Sequence, residues 1–191
     1  MAEYITTYTG QHFYPLEPEY DKIKIEDIAH SLSMLCRANG HYRYFYSVAD
    51  HAIDCAAEAR ERCMGNYMIM LCLLHDAAEA YISDIPRPVK HDLNGIYDIE
   101  ERLADIIYIK FAGRKPTESE FDAMRKIDDS MLYHEFRTNM GEELKYGEIV
   151  SKRSFKSRNP EESEKEFLDI FNDIYRLLTL EQTDYHKNRQ N

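Results

Sequence analysis

Residues 67–82 (Tyr-Met-Ile-Met-Leu-Cys-Leu-Leu-His-Asp-Ala-Ala-Glu-Ala-Tyr-Ile) place the tightest limit on how this chain can fold. Through Leu74 the segment is apolar on every face of a helix, so it has no side to turn to water and belongs at the centre of a helical domain. Asn66 can cap its start, and Pro86 and Pro88 stop it and force an extended turn. Its second half then carries His75, Asp76 and Glu79 into that interior. Buried ionisable groups are costly unless something compensates them. The i, i+4 spacing sets Glu79 on the face of His75, with Asp76 one helical step round.

The flanking sequence reads as further helices. Ile25, Ile28, Leu32 and Leu35 recur at helical spacing to about Ala38, where Asn39-Gly40 ends the run. Ser47 is a good N-cap for a second helix, with Asp50 in its first turn. A helix is expected from about Gly95 to Phe111, closed by Gly113. Thr117 and Glu120 form a capping box for another that runs to about Thr138. A charged loop over 141–159 follows, and Pro160 opens a last helix to about Leu180. Residues 181–191 are expected to fray. Residues 4–18, rich in Thr, Tyr, Phe and Pro around Gly10, read as a short β-hairpin or extended arm. The expectation is one all-α domain over 1–191, a bundle of about six helices with its core over about 25–138.

Two more polar groups fall in apolar stripes. His51 borders the stripe Val48, Ala52, Cys55, Ala56 and Ala59. Asp128 lies seven residues after Phe121, within a stripe that includes Met124, Met131 and Leu132, while Asp129 is turned about 100° away. Each alone has an ordinary explanation, a hydrogen-bonded core histidine or a local ion pair. A single shared metal accounts for His51, His75, Asp76 and Asp128 together. Imidazoles mixed with carboxylates suit Mn, Fe, Co or Zn better than an all-oxygen calcium cage. A second His-Asp pair, His91-Asp92, follows the two prolines in a loop-like stretch and reads as coincidence.

The remaining composition narrows the partners. A formal charge of −11 argues against a long nucleic acid, which needs a basic footprint. A small anion stays open, because a bound divalent cation reverses the field locally. The longest apolar run is far short of the roughly 20 residues of a membrane span. No basic-then-apolar leader opens the chain. Cys36, Cys55, Cys63 and Cys72 form no C-x-x-C pair and read as reduced, buried helical thiols. A cytoplasmic protein is expected. Fifteen tyrosines and no tryptophan point to core seats with hydroxyls near the surface, and to pocket or subunit lining for some.

His51, then His75-Asp76, then Asp128, each on its own helix, resembles the H…HD…D signature of the HD phosphohydrolases. The stretches IEDIAHSLSMLCRANGHYRYFYSVADH, LLHDAAEAYISDIPRPVK and KIDDSMLYHE are similar to the branch holding bacterial 5′-deoxynucleotidases and phage deoxynucleotide hydrolases, over about residues 8–138. The resemblance implies that the four signature residues bind a divalent metal, with additional Mg or Mn arriving alongside substrate. It implies that Glu79 orients or deprotonates the attacking water and that Asp84 is a second catalytic acid. Arg37 matches a phosphate-binding arginine and Lys90 a lysine that reaches further phosphates, with Arg43 a weaker match. The implied function is a 5′-deoxynucleotidase, with a deoxynucleoside triphosphate triphosphohydrolase as the alternative. A nucleotide-binding regulatory module without turnover is the reading from another class. Relatives of this kind are dimers or higher oligomers. The last fifty residues match no motif and are expected to shape an oligomer or cover a pocket.

Overall fold

In chain order the elements are a hairpin (β1 Ile5–Thr6, β2 His12–Phe13) and the helices α1 Ile25–Met34, α2 Val48–Glu61, α3 Asn66–Leu74, α4 Glu79–Ile82, α5 Arg87–Lys90, α6 Ile96–Ala112, α7 Glu118–Met140 and α8 Pro160–Asn188. They come from a computed structural model that describes residues 3–144, 147–152, 155 and 157–188, with side chains through residue 183. Five residues of the expected charged loop (145, 146, 153, 154 and 156) and the last three of the expected frayed tail lie outside the described residues. The mostly helical architecture is the all-α one the sequence predicts. No helix among the described residues is long and apolar enough to cross a membrane.

The segment apolar on every face is α3, and each residue from Met68 to Leu74 is buried. It packs against α2, α6, α7 and α8, so the centre of the bundle is where its composition requires it to be. α2 begins at a reciprocal capping box: Asp50 N donates to Ser47 Oγ at 3.0 Å and Ser47 N donates to Asp50 Oδ2 at 3.0 Å. Thr117 and Glu120 make the second box, at the head of α7. Gly113, with φ of 82°, closes α6 in a left-handed conformation that costs glycine little.

Four expectations need correction. The first helix ends at Met34 and not near Ala38, because Leu35 and Arg37 pair their backbones with the strand-like entry to α2. Val48 N donates to Leu35 O at 3.0 Å and Arg37 N to Tyr46 O at 2.9 Å. This bridge carries Arg37 to the rim of the core. The expected helix over 67–82 is broken, with α3 stopping at Leu74 and α4 starting at Glu79. After the extended Pro86, α5 makes one helical turn where an extended turn was expected; Pro88, in its first turn, needs no donor there. Lastly, α8 continues to Asn188.

α8 is also no cover over the bundle. It lies against α1, α2 and α3, and places Phe167, Phe171, Ile174 and Leu178 in the core, which therefore extends well past residue 138. The segment leading into α8 is clasped as well. Val150 N and Ser151 N each donate to the buried Glu58 carboxylate at 2.8 Å. A Cβ on Gly147 would lie 2.6 Å from the Ser130 backbone, so only glycine fits against α7 there. All four cysteines are free, but Cys63 is exposed and Cys36 half-buried, leaving Cys55 and Cys72 as the buried thiols.

Candidate metal centre

Between α3 and α4 the backbone tightens. Ala77 N donates to Leu74 O, Glu79 N to Asp76 O and Tyr81 N to Ala78 O, each at 3.0 Å and each an i→i−3 bond of 3₁₀ type. A turn of three residues brings side chains three apart into line. Glu79 therefore stands in line with Asp76, and not with His75 as α-helical spacing predicts. Small, fully packed Ala77 and Ala78 let this tighter turn sit in the core.

The structure brings His51 from α2, His75 and Asp76 from the tightened turn, and Asp128 from α7 to one point. His51 Nε2 is 3.1 Å from His75 Nε2 and 3.1 Å from Asp128 Oδ1. His75 Nε2 is 3.2 Å from Asp76 Oδ2, and the two cross distances, His51 to Asp76 and His75 to Asp128, are 3.9 Å. Asp129 points elsewhere: its side chain is 40% exposed against 17% for Asp128. The stripe that sets this choice differs from the expected one, because Phe121 is exposed. Met124, Ile127, Met131 and Glu135 form the buried edge, and Asp128 borders it.

Hydrogen bonds behind the imidazoles fix which nitrogen carries the proton. His75 Nδ1 lies 2.8 Å from Cys72 O, a carbonyl that can only accept, so Nδ1 is the donor and Nε2 offers a lone pair. His51 Nδ1 likewise donates to Glu135 Oε1. Glu135 is fully buried; desolvation opposes its ionisation, but His51 and Arg37 outweigh this and hold its carboxyl below the usual range. Two imidazole lone pairs and two carboxylate oxygens thus converge, and among the described residues the donors that reach them are Arg37 Nη1 at Asp76 Oδ2 and the Cys55 thiol at His51 Nε2. Burial works against charge on Asp76 and Asp128 too, yet the neighbouring imidazoles, and Arg37 in the case of Asp76, keep both carboxyls far below the ordinary range. On His51 burial and Arg37 oppose a second proton, but Cys55, Glu135 and Asp128 outweigh them and draw one toward Nε2, the place that a cation would take instead. A cation at the point of convergence answers all of these at once.

The donors fit a metal. Metal–ligand bonds of about 2.0–2.2 Å place adjacent ligand atoms about 3–3.5 Å apart, close to the spacings above. His51, Cys55 and His75 form a group whose donor atoms lie within 4.8 Å of one another and could hold an ion. Cys55 is the weak member: burial pushes its thiol up to about 12, so it stays protonated, 3.6 Å from His51 Nε2. The ionised carboxylates of Asp76 and Asp128 are better partners for the same two imidazoles.

Around this core lie the other sequence-predicted residues. Glu79 is 3% exposed; its Oε1 takes a bond from Lys90 Nζ at 3.3 Å, while its buried Oε2 has no protein partner. Burial, with Asp76 and Asp84 nearby, raises its pKa well above the ordinary value against the pull of Lys90 and Arg37. Asp84, half-buried beyond α4, is raised by burial and by Asp76, with Arg37 and Lys90 opposing. Arg37 bridges Asp76 Oδ2 at 3.1 Å and Glu135 Oε2 at 3.4 Å. Lys90 is no free cation for a long phosphate chain: it is buried, and Glu100 Oε1 of α6 holds it at 2.6 Å from the side opposite Glu79. Arg43 is exposed, and its backbone binds Asn139 O. Within the aromatic loop, Tyr42 and Tyr46 are core residues whose hydroxyls donate to Glu135 and Asp54; Tyr44 is exposed. His91 and Asp92 are exposed and take no part in the cluster.

Two residues escape sequence reading. Glu135 reads as an ordinary helix-surface acid, and its period with Met124, Ile127 and Met131 is the signal that could have found it. Arg87, between two prolines, reads as a solvated cation; it donates through Nη2 to Asp128 Oδ2 at 2.7 Å and through Nη1 to Asp129 Oδ1 at 2.8 Å.

No protein-family model matches the chain. The uncharacterized protein YfdR of Escherichia coli K12 is 41% identical over 108 residues, 56% of this chain and 58% of that protein. An uncharacterized protein of Rhodobacter capsulatus is 34% identical over 109 residues, 54% of this chain and 55% of that one. The chain thus matches little more than half the length of these curated relatives, and neither name carries an activity.

Proposed function

We propose that the protein is a metal-dependent phosphohydrolase of HD type acting on nucleotides, a 5′-deoxynucleotidase that converts a deoxynucleoside monophosphate and water to deoxynucleoside and phosphate. The observation that carries this reading is the convergence of four acceptor atoms, His51 Nε2, His75 Nε2, Asp76 Oδ2 and Asp128 Oδ1, where the described protein donors are only Arg37 on Asp76 Oδ2 and the Cys55 thiol beside His51 Nε2. These four are the proposed ligands, and their chemistry favours Mn, Co, Fe or Zn. When bound, such an ion lowers the pKa of water and draws charge from a phosphoryl oxygen.

The chain's own residues supply the rest. Glu79 Oε2, buried and unpartnered, accepts the proton of the attacking water, and Lys90 fixes the other carboxylate oxygen. As the new P–O bond forms, the bond to the sugar 5′-oxygen breaks, and Asp84 returns a proton to that oxygen. Arg37 stabilises charge on the phosphoryl oxygens with N–H groups beyond the two that hold Asp76 and Glu135. The burial of Lys90 between two acids favours the monophosphate over the triphosphate, because the cation expected to follow a longer phosphate chain is already engaged. Nucleotide specificity rests on the resemblance of the three quoted stretches.

The test is a panel of deoxynucleoside mono- and triphosphates with Mn or Co, scored by released phosphate against released triphosphate. Monophosphates should be cleaved, and Glu79→Ala should retain metal while turnover falls by roughly 10²–10⁴. Nucleotides bound but left intact by the metal-loaded native protein would replace the enzyme reading with the regulatory one.

A further inference from the structure

Among the described residues three cations touch the carboxylates of the candidate site, and they differ in one respect. Arg37 and Lys90 are buried, each already shared between two acids. Arg87 reaches the same cluster from outside. Its side chain is 57% exposed, yet its Nη2 lies on the Asp128 oxygen that faces away from the histidines. We infer that Arg87 is the site's anion receiver, the group that takes the outward-facing oxygens of a substrate phosphate. This rests on the phosphohydrolase reading and names a residue that reading does not use.

Charge balance makes such a group necessary. With Asp84 holding the proton that it returns, Asp76, Glu79, Asp128, Asp129 and Glu135 still outnumber the buried cations Arg37 and Lys90 by three, so without Arg87 a phosphate dianion approaches a site of its own sign even after a divalent ion is counted. The group that relieves this has to be cationic, reachable from solvent and free to change partner. Arg87 is all three. Its guanidinium carries five N–H donors and the two bonds to Asp128 and Asp129 use only some of them. The Asp129 half of the bridge is a solvent-exposed ion pair, a weak interaction that a doubly charged phosphate can outcompete. Pro86 and Pro88 on either side limit the backbone, so the exchange falls to the side chain. Asp129 is then a resting partner that competes with substrate for the arginine.

This predicts effects of opposite sign from two neighbouring changes. Calorimetric titration of the Mn-saturated protein with inorganic phosphate reads them without any turnover. Arg87→Ala should weaken phosphate binding at least tenfold, whereas Asp129→Asn should tighten it about threefold. The double variant should match Arg87→Ala, because Asp129 acts only through the arginine. Separate Mn titrations ensure that each variant is saturated. Unaltered phosphate affinity in Arg87→Ala, weaker binding in Asp129→Asn, or no phosphate binding by the native protein would each overturn the inference. Phosphate binding that depends on Arg87 in a protein that hydrolyses no nucleotide would retain the anion receiver and remove the proposed activity.

Discussion

Helix α2 carries two sets of buried polar side chains on adjoining faces. On one face Asp50, Asp54 and Glu58 recur every four residues, all fully buried. Asp50 accepts from Ser47, Arg158 and Ser163, Asp54 from Tyr46 and Arg158, and Glu58 from Arg62, Val150 and Ser151. On the other face His51 looks into the cluster with His75, Asp76 and Asp128, where acceptor meets acceptor. His51 is as fully buried as the three acids, but the acids meet N–H and O–H donors whereas its Nε2 meets His75 Nε2 and Asp128 Oδ1. A buried acid surrounded by donors is a rivet between segments, and here it ties α8 and its approach to α2. A buried acid facing other acceptors marks a place for something the chain does not itself provide.

The first way to break this comparison is to remove a rivet. Asp50→Ala takes a buried carboxylate from Arg158 and Ser163 and removes the Asp50 half of the α2 capping box, and should cost about 3–5 kcal/mol of unfolding free energy by denaturant titration. Metal affinity of the folded fraction should stay native. A loss under about 1 kcal/mol would mean that the two faces do not differ in kind.

The converse change acts on the other face. At a hundredfold excess over Kd a metal that binds only the folded chain adds about 2.7 kcal/mol, so Mn should raise the native melting temperature by roughly 5–10 °C. Asp128→Asn should abolish that rise and leave the metal-free melting temperature nearly unchanged, since it removes one of several crowded acceptors. A large drop without metal would make Asp128 a rivet instead.

Glu135 belongs to both categories, buried and satisfied yet bonded to the His51 imidazole of the cluster. Glu135→Gln should weaken metal binding about 10–100-fold by titration, the usual effect of losing a carboxylate behind a metal-binding histidine. A purely architectural Glu135 would lower stability and leave the affinity alone.

The smallest effect concerns pH. Burial opposes ionisation of Glu58, but Ser151 and Val150 N–H groups and Arg62 outweigh it and lower its pKa. A carboxyl with a folded pKa below its unfolded one, about 4.3, stabilises fully above that value and loses its contribution as pH falls through the folded pKa. Stability should therefore decline on acidification below about pH 4.3, and Glu58→Gln should flatten that decline. An unchanged slope would sink the assignment.

What the sequence disclosed follows from range. Ser47 as a cap, the Thr117–Glu120 box, Gly113 as a stop and Pro160 as a start are decided within four residues, and each falls where expected. That His51, His75, Asp76 and Asp128 point inward was legible because each interrupts an apolar stripe. Their partners were not, being set by distant chain: Glu135 meets His51 across 84 positions, and Glu100 meets Lys90 from another helix. The break at His75–Ala78 was hidden for a different reason. Alanine and leucine favour an α-helix, and nothing local announces that the turn will tighten where charged groups must be packed.

The place of α8 has a consequence for how the protein is made. Phe167, Phe171, Ile174 and Leu178 seal a core walled chiefly by α1, α2 and α3, which lie more than eighty residues earlier, with Phe111 of α6 against Phe171. During synthesis the histidines and aspartates of the cluster all leave the ribosome before the helix that closes the bundle behind them. Until α8 docks, the nascent chain therefore holds these histidines and aspartates in an open, partly wet bundle. Closure around this cluster waits for α8, whatever the order in which the clustered residues themselves emerge.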